Sequence, residues 1–365
     1  KKELETLITN GIESTRYLAV DESRMLADPA RYYKGGKPDL QLFDKKLYEV
    51  NPDDKVAIAR AAAEEVLGKD ERIISVDSSY SDGEGSSYRL ISNGFEGESK
   101  STWFSVSASV SIKGEGEARP QDYWYDSALF YDKLTKTGIG AKALERVLRK
   151  LGQKKAKSGK YTMVVDPMNV GNLLSPMLSA LYGSALQQKN SFLMDKLDTK
   201  VASDLFTLRD EPHAIGANGS RYFDNEGVAT EPRTVFDKGV LKTYFIDTYN
   251  GKKMDIAPTI SAPSRLILTP GDKDLNGLVA DIKQGILVTG FNGGNSNSST
   301  GDFSYGIEGF LIEDGKLTQP VNEMNVTGNM VTLWNSLVAV GNDPQPNRSW
   351  QIPSLVFEGV DFSGL

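Results

Sequence analysis

At 365 residues, with 39% hydrophobic and 25% charged side chains, the chain reads as a soluble globular protein long enough for two domains with separate cores. A formal net charge of -7 argues against a nucleic-acid surface, and no run approaches the ~20 apolar residues of a bilayer span. The absence of cysteine excludes a disulfide framework, a thiolate zinc site and a cysteine nucleophile.

The opening segment, "KKELETLITNGIESTRYLAV", has neither the apolar core nor the cleavage site of a signal peptide, so the expectation is a cytoplasmic protein. "NPDDKVAIARAAAEEVLG" predicts a helix, with Asn51 as N-cap, Pro52 at the first position, Gly68 as the stop and Val56, Ala59, Ala63 and Val66 as its inner face. "RIISVDSSYSD" and "SYRLISNG" read as strands, and "SDGEGS" and "SNGFEG" as hairpin turns. In "STWFSVSASVSIKG", Phe104, Val106, Ala108, Val110 and Ile112 alternate with polar residues as on a half-buried strand. "GAKALERVLRKL" gathers Leu144, Val147, Leu148 and Leu151 on one helical face. The basic cluster from Arg149 to Lys160 reads as a solvated helix end and linker, which sets the domain boundary. Beyond it come a buried strand, "YTMVV", a single helix over "NLLSPMLSALYGSALQQ", and then short strands broken by Gly, Asp, Asn and Pro. Two hairpins are predicted at Asp237-Lys238-Gly239, with a second strand running into Thr243–Asp247, and at Glu313-Asp314-Gly315. The Gly/Asn/Ser tract from Thr289 to Gly306 reads as a loop, mobile over a cleft or plain. The predicted fold is α+β: an amino-terminal sheet with helices, residues 1–155, and a mostly antiparallel β domain, residues 156–365.

The segment "RDEPHAIGANGSRYFDNEG" holds the only histidine, His213, among carboxylates and glycines. A Ser-His-Asp site would need a nucleophile such as Ser220, yet no nucleophile-elbow pattern surrounds it. One histidine without cysteine cannot make an ordinary zinc site. Asp210, Glu211, Asp224 and Glu226 could hold a hard cation, but they lack the fixed loop spacing of a calcium site and read equally as turn residues. By chemistry alone the site is incomplete.

The run "FDNEGVATEPRTVFDKGVLKTYFIDTYNGKKM" resembles the hallmark segment of the TldD/PmbA family. "KNSFLMDKL", "STGDFSYGIEGFLIEDGKLTQPV" and "LVAVGNDPQPNRSWQIPSLVF" agree with it in order. The resemblance implies some tens of further residues at the amino end and one of two kinds of protein. The TldD-like kind is a metalloprotease with a His-Glu-x-x-x-His helix and a later cysteine at its zinc site. The PmbA/TldE-like kind lacks these and pairs with the first. Matching the leucine pair of "LLSPMLSALYG" puts Ser175, Pro176 and Ala180 at the three helix positions, and the cysteine position falls near Ile352. Serine followed by proline suits a helix N-cap and first position better than a general base. No catalytic residue, metal ligand or cofactor is therefore expected in this chain. His213, Asp224, Glu226, Asp302 and Tyr305 are its candidate cleft or interface residues.

The resemblance thus implies a metal-free subunit of a TldD/TldE-like complex that degrades or processes unfolded peptides, its partners a zinc-bearing paralogue or a second copy. The family's older label, modulator of DNA gyrase, fits direct DNA contact poorly at this acidic charge, and no membrane partner is expected. Two other classes stay open: a carboxylate-dependent hydrolase in its own right, and a homodimeric peptide-binding module.

Overall fold

The computed structural model describes residues 1–365. The chain opens with helix α1 (Lys2–Thr15), all of whose residues are exposed. Helix α2 (Pro52–Glu64) starts as its sequence dictates: the Asn51 side chain accepts from Asp54 N–H and Pro52 holds the first position. Of the expected inner face, Val66 is buried and Ala59 and Ala63 are half-buried, but Val56 is not part of it. Ala62 and Val66 are buried in the core of the first half and Ile58 packs beside them, while Val56 is 54% exposed.

Strand β1 (Ile73–Ile91) and strand β2 (Phe95–Ile112) form one long hairpin, and strand β3 (Gln121–Ala128) completes a three-stranded antiparallel sheet in the order β1-β2-β3. The turn is "SNG", as expected, but "SDGEGS" is no turn: Asp82, Gly83, Glu84 and Gly85 pair in register with Phe104, Trp103, Thr102 and Ser101. Gly83 is there for space, since a Cβ would lie 3.1 Å from the Trp103 ring. Phe104, Val106, Ala108, Val110 and Ile112 form the buried row that the alternation predicts, covered by α2 and by helix α3 (Ile139–Leu148).

Lys150, in the basic cluster, is 7% exposed rather than solvated. Its ammonium donates to Glu308 at 2.7 Å and to the Gln121 carbonyl at 2.9 Å, with Asp122 at 3.2 Å. A linker lysine is drawn in because β3 and the second half present carboxylates to each other there.

Strand β4 (Gly159–Val165) enters the second core. Helices α4 (Gly171–Ser179) and α5 (Gly183–Gln187) replace the single predicted helix, because Tyr182 is extended and Gly183 N–H turns out to the Phe245 carbonyl at 2.7 Å. Strands β5 (Leu208–Asp210), β6 (Arg233–Asp237) and β7 (Val240–Leu241) follow, then helix α6 (Thr248–Met254), strand β8 (Leu266–Leu268) and helix α7 (Leu275–Ala280). Thr243–Asp247 is not strand: past Leu241 the chain leaves the sheet, and Phe245 N–H bonds to the Leu181 carbonyl. Both predicted turns form, with φ of +46° and +76° at Lys238-Gly239 and +45° and +75° at Asp314-Gly315.

Strands β9 (Gln284–Ser296), β10 (Asp302–Glu313) and β11 (Lys316–Asn329) make the longest meander of the second half. The tract from Thr289 to Gly306 therefore belongs mostly to β9 and β10, not to a loop; its connection is only Asn297–Gly301. Its glycines serve close strand approach: Gly294 has φ +93°, and a Cβ there would lie 2.1 Å from the Ser304 carbonyl oxygen. Helix α8 (Met330–Asn335) and strands β12 (Leu337–Val340), β13 (Trp350–Gln351) and β14 (Leu355–Ser363) end the chain. The larger sheet runs β11-β10-β9-β4-β14-β12, and the β11–β14 pairing from Asn325↔Ser363 to Thr327↔Asp361 closes its first five strands into a ring. A third sheet runs β13-β8-β5-β6-β7. The main core packs the ring against α4 and this third sheet, and it takes in Ala27, Tyr32 and Phe95 from the first half. The fold is α+β, mostly antiparallel in its second half, with parallel pairing at β4–β9 and β8–β13.

Candidate functional site

The segment from Asp210 to Arg233 links β5 to β6 and carries most of the candidate side chains. Its carboxylates are used by the fold. Asp224, 2% exposed, accepts from the N–H groups of Glu226 (2.8 Å), Val228 (3.0 Å) and Ser261 (3.0 Å). Asp210, equally buried, accepts from Ser264 and Arg265 N–H, and burial raises its carboxyl above the usual range. Glu226 is half-buried and accepts from Thr248 N–H (3.0 Å) and Oγ1 (2.9 Å) at the start of α6; burial raises its carboxyl as well. Three arginines, Arg31, Arg221 and Arg233, surround the same region. Arg221 donates to Ser264 Oγ and to the Ala262 and Pro263 carbonyls. Burial lowers the Arg233 guanidinium from its ordinary range.

His213 is half-buried against Tyr222, ring centroids 5.0 Å apart, and its Nε2 lies 3.1 Å from Thr230 Oγ1. The Thr230 hydroxyl proton goes to the Arg221 carbonyl, so Thr230 Oγ1 accepts and His213 carries its proton on Nε2. Burial, with Lys37 nearby, lowers its affinity for a second proton. Ser220 donates to the Ala214 carbonyl at 2.7 Å, not to His213. The arrangement is that of a braced loop without a nucleophile–base pair.

Asp302 and Tyr305 lie elsewhere, on β10. Asp302 accepts from Nδ2 of Asn329, its cross-strand partner on β11, and from Thr300 Oγ1 in its own turn, and these hydrogen bonds lower its carboxyl. Tyr305 packs edge-on against Phe291 at 5.6 Å. Neither bonds to His213, Asp224 or Glu226.

Ser175 is exposed on α4, and Ala180 and Ile352 are buried and apolar. Ser175 and Pro176 are not an N-cap and first position: α4 already starts at Gly171, after a turn in which Asp166 accepts from Asn169 N–H, and Pro176 sits inside the helix. A hydroxyl, a ring without N–H, a methyl and a buried isoleucine do not fit zinc, which wants imidazole, thiolate or carboxylate. No three His, Asp or Glu side chains gather anywhere in a way that would hold a metal ion.

Sequence reasoning missed a groove of about 780 Å³ between the β1–β2 hairpin, the segment Tyr33–Phe43 and the loop Ser220–Asn225. Tyr33 stacks on Tyr222 across a centroid distance of 5.1 Å. Its walls come from three distant stretches, so only the aromatic content of "RYYKGGKPDLQLF" and "SRYFDN" hints at it.

Residues 158–364 match the PmbA/TldA metallopeptidase C-terminal domain, and residues 45–151 match the PmbA/TldA metallopeptidase central domain. The chain is 29% identical to the metalloprotease PmbA homolog of Haemophilus influenzae, over 99% of this chain and 81% of that one. It is 27% identical to metalloprotease PmbA of Escherichia coli O157:H7, over 97% and 78%. A Bacteroides thetaiotaomicron crystal structure named for a modulator of DNA gyrase superposes with a TM-score of 0.99 at 74% identity, covering 100% of this chain and 83% of that one. TldE from Thermococcus kodakarensis shares the fold, with a TM-score of 0.81 at 22% identity over 100% of this chain and 85% of its own. The family models span both halves, and the relatives they describe are named metalloproteases: the chain belongs to the PmbA/TldD metallopeptidase family.

Proposed function

We propose that this chain is a metal-free, PmbA/TldE-type subunit that pairs with a zinc-bearing TldD-type paralogue and helps form the cleft in which unfolded peptides are degraded or processed. One observation supports the reading: the positions that the resemblance matches to the family's zinc helix hold exposed Ser175 and mid-helix Pro176 on α4 and buried Ala180 at its end, with buried Ile352 where the resemblance puts the cysteine. The chain's contribution is shape and binding. Its two units are assigned to residues 1–155 and 156–365, its working place to the cytoplasm, and its ligands to peptides rather than nucleic acid, in keeping with a net charge of -7. A hydrolase built on its own carboxylates is disfavoured, because Asp210, Asp224 and Glu226 already accept the hydrogen bonds that hold their loops.

The test is co-expression with the His-Glu-x-x-x-His paralogue of the same genome, followed by affinity purification and elemental analysis. The expected result is a stable pair with about one zinc per pair and none retained by this chain alone after dialysis. About one tightly held zinc on the isolated chain, or failure of the two to associate, would sink the assignment.

A further inference from the structure

Beside β2 the three-stranded sheet has a position that no strand fills. β3 pairs with β2 only from Phe104↔Ala128 to Ser111↔Gln121, whereas β1 follows it down to Ile91↔Phe95. From Phe95 to Trp103, the edge of β2 that faces away from β1 therefore has no neighbouring strand. A single main-chain bond occurs there, from Thr102 N–H to the Leu42 carbonyl at 3.0 Å. It fixes the phase. If Thr102 points its main-chain groups away from β1, the two-residue period makes Glu96, Glu98 and Lys100 do the same. None of their N–H or C=O groups has a main-chain partner outside the sheet ladders.

Glu98, Ser99 and Lys100 of this edge line the groove described above together with Ser86–Arg89 of β1, and its far wall is the Tyr33–Phe43 segment and the Ser220–Asn225 loop. Phe223 closes the end of the wall, edge-on to Phe95 at 5.1 Å. We propose that the groove takes an extended peptide segment as an added strand beside β2, bound by the main-chain groups of Glu96, Glu98 and Lys100, with alternate side chains against Tyr33 and Tyr222. The inference rests on the reading of the chain as a peptide-handling subunit and gives that reading a location.

The occupant we assign is a single strand. An added strand lies ~4.8 Å from its neighbour, whereas a second sheet packed on this one would need ~10 Å. Main-chain pairing also suits unfolded peptides of varied sequence, since it reads little of their side chains. Several other sheet edges are shorter: the third sheet ends in the two-residue strands β7 and β13, and the larger sheet, otherwise a ring closed by β11–β14, ends in the four-residue strand β12.

The probe is a fluorescein-labelled octapeptide alternating leucine with serine, followed by anisotropy and by amide hydrogen exchange on the full chain. We expect saturable binding and slowed exchange at Glu96, Glu98 and Lys100. N-methylating alternate peptide residues in one phase should weaken binding about tenfold or more, and in the other phase should leave it unchanged. Glu98→Pro, which removes an N–H that β1 does not use, should weaken binding similarly; the N-methylated peptides decide the matter even if that variant does not fold. Absence of saturable binding, equal loss in both phases, or protection confined to other strands would overturn the proposal. Protection of these amides that rises with protein concentration alone would assign the position to a second copy and overturn it too. Association with the zinc-bearing paralogue is measured separately: a stable pair without peptide protection removes the strand position alone, and peptide protection without a pair removes the subunit reading alone.

Discussion

Replacing Lys150 by methionine should destabilise the protein by about 3 kcal/mol, the lower end of the cost of breaking a buried ion pair. The structure sets that end of the range. Lys150 is 7% exposed, and its ammonium meets Glu308 at 2.7 Å and Asp122 at 3.2 Å. Asp122 keeps a second cation, Arg146, whose Nε lies 3.1 Å away, so it is not abandoned. Glu308 has no other ion-pair partner; its side chain is 16% exposed, enough for partial rehydration but not for full solvation. Methionine preserves most of the stem's packing, so the loss reports the charge. Urea unfolding followed by tryptophan fluorescence measures it. The double variant Lys150→Met/Glu308→Gln removes both buried charges and should recover all but about 1 kcal/mol. A single variant costing under ~1 kcal/mol, or a double variant no better than the single, would refute the reasoning that Glu308 is stranded by the loss of Lys150.

Gly239→Val should cost well over the ~1 kcal/mol of a misplaced turn residue, because φ there is +76° and a Cβ would lie 2.0 Å from the Ala202 carbonyl oxygen; an unchanged thermal midpoint would contradict this. His213 is the only histidine, so its proton NMR titration is unambiguous, and its midpoint should fall below the ordinary value of 6.5. Its contribution to stability is then full above 6.5 and is lost as the pH falls through the depressed value; a midpoint at or above 6.5 would show that its burial has no such effect. Glu226 has the opposite sign. Its raised carboxyl favours the protonated folded state, so its contribution is greatest below the ordinary 4.5 and declines as the pH rises through the raised value. Glu226→Gln should therefore be neutral to stabilising at pH 7 and lose that advantage near pH 4, as paired unfolding curves at the two pH values would reveal.

Short-range chemistry was legible in the sequence. The Asn51-Pro52 cap, the alternation from Phe104 to Ile112 and the two turns at Gly239 and Gly315 each depend on residues within a few positions, and each forms as read. The misreadings share a different cause: a residue whose job is set by a distant neighbour. "SDGEGS" has turn composition, but Gly83 makes room for Trp103 across the hairpin. The glycines of 289–306 look like loop, yet they let β9 and β10 approach. Lys150 looks solvated in a basic run, and its partners lie 28 and 158 positions away. Composition alone cannot separate a glycine that bends the chain from one that admits a neighbour.

The same distinction governs the candidate site. "FDNEG" looks reactive because it groups acids beside glycine, and the resemblance to a peptidase family strengthens that impression. In the fold, Asp224 ties together three N–H groups and Glu226 anchors the start of α6. A carboxylate committed in this way is a poor general base, since taking a proton would weaken the hydrogen bonds that hold its loop. The rigidity it confers has a use, because the Ser220–Asn225 loop that Asp224 braces is one wall of the groove beside β2. A strand entering that groove would meet a wall already ordered and lose less entropy on binding than it would against a loose loop. Asp224 and Glu226 thus hold their loops in place, and the wall that Asp224 braces stands opposite the edge proposed for recognition.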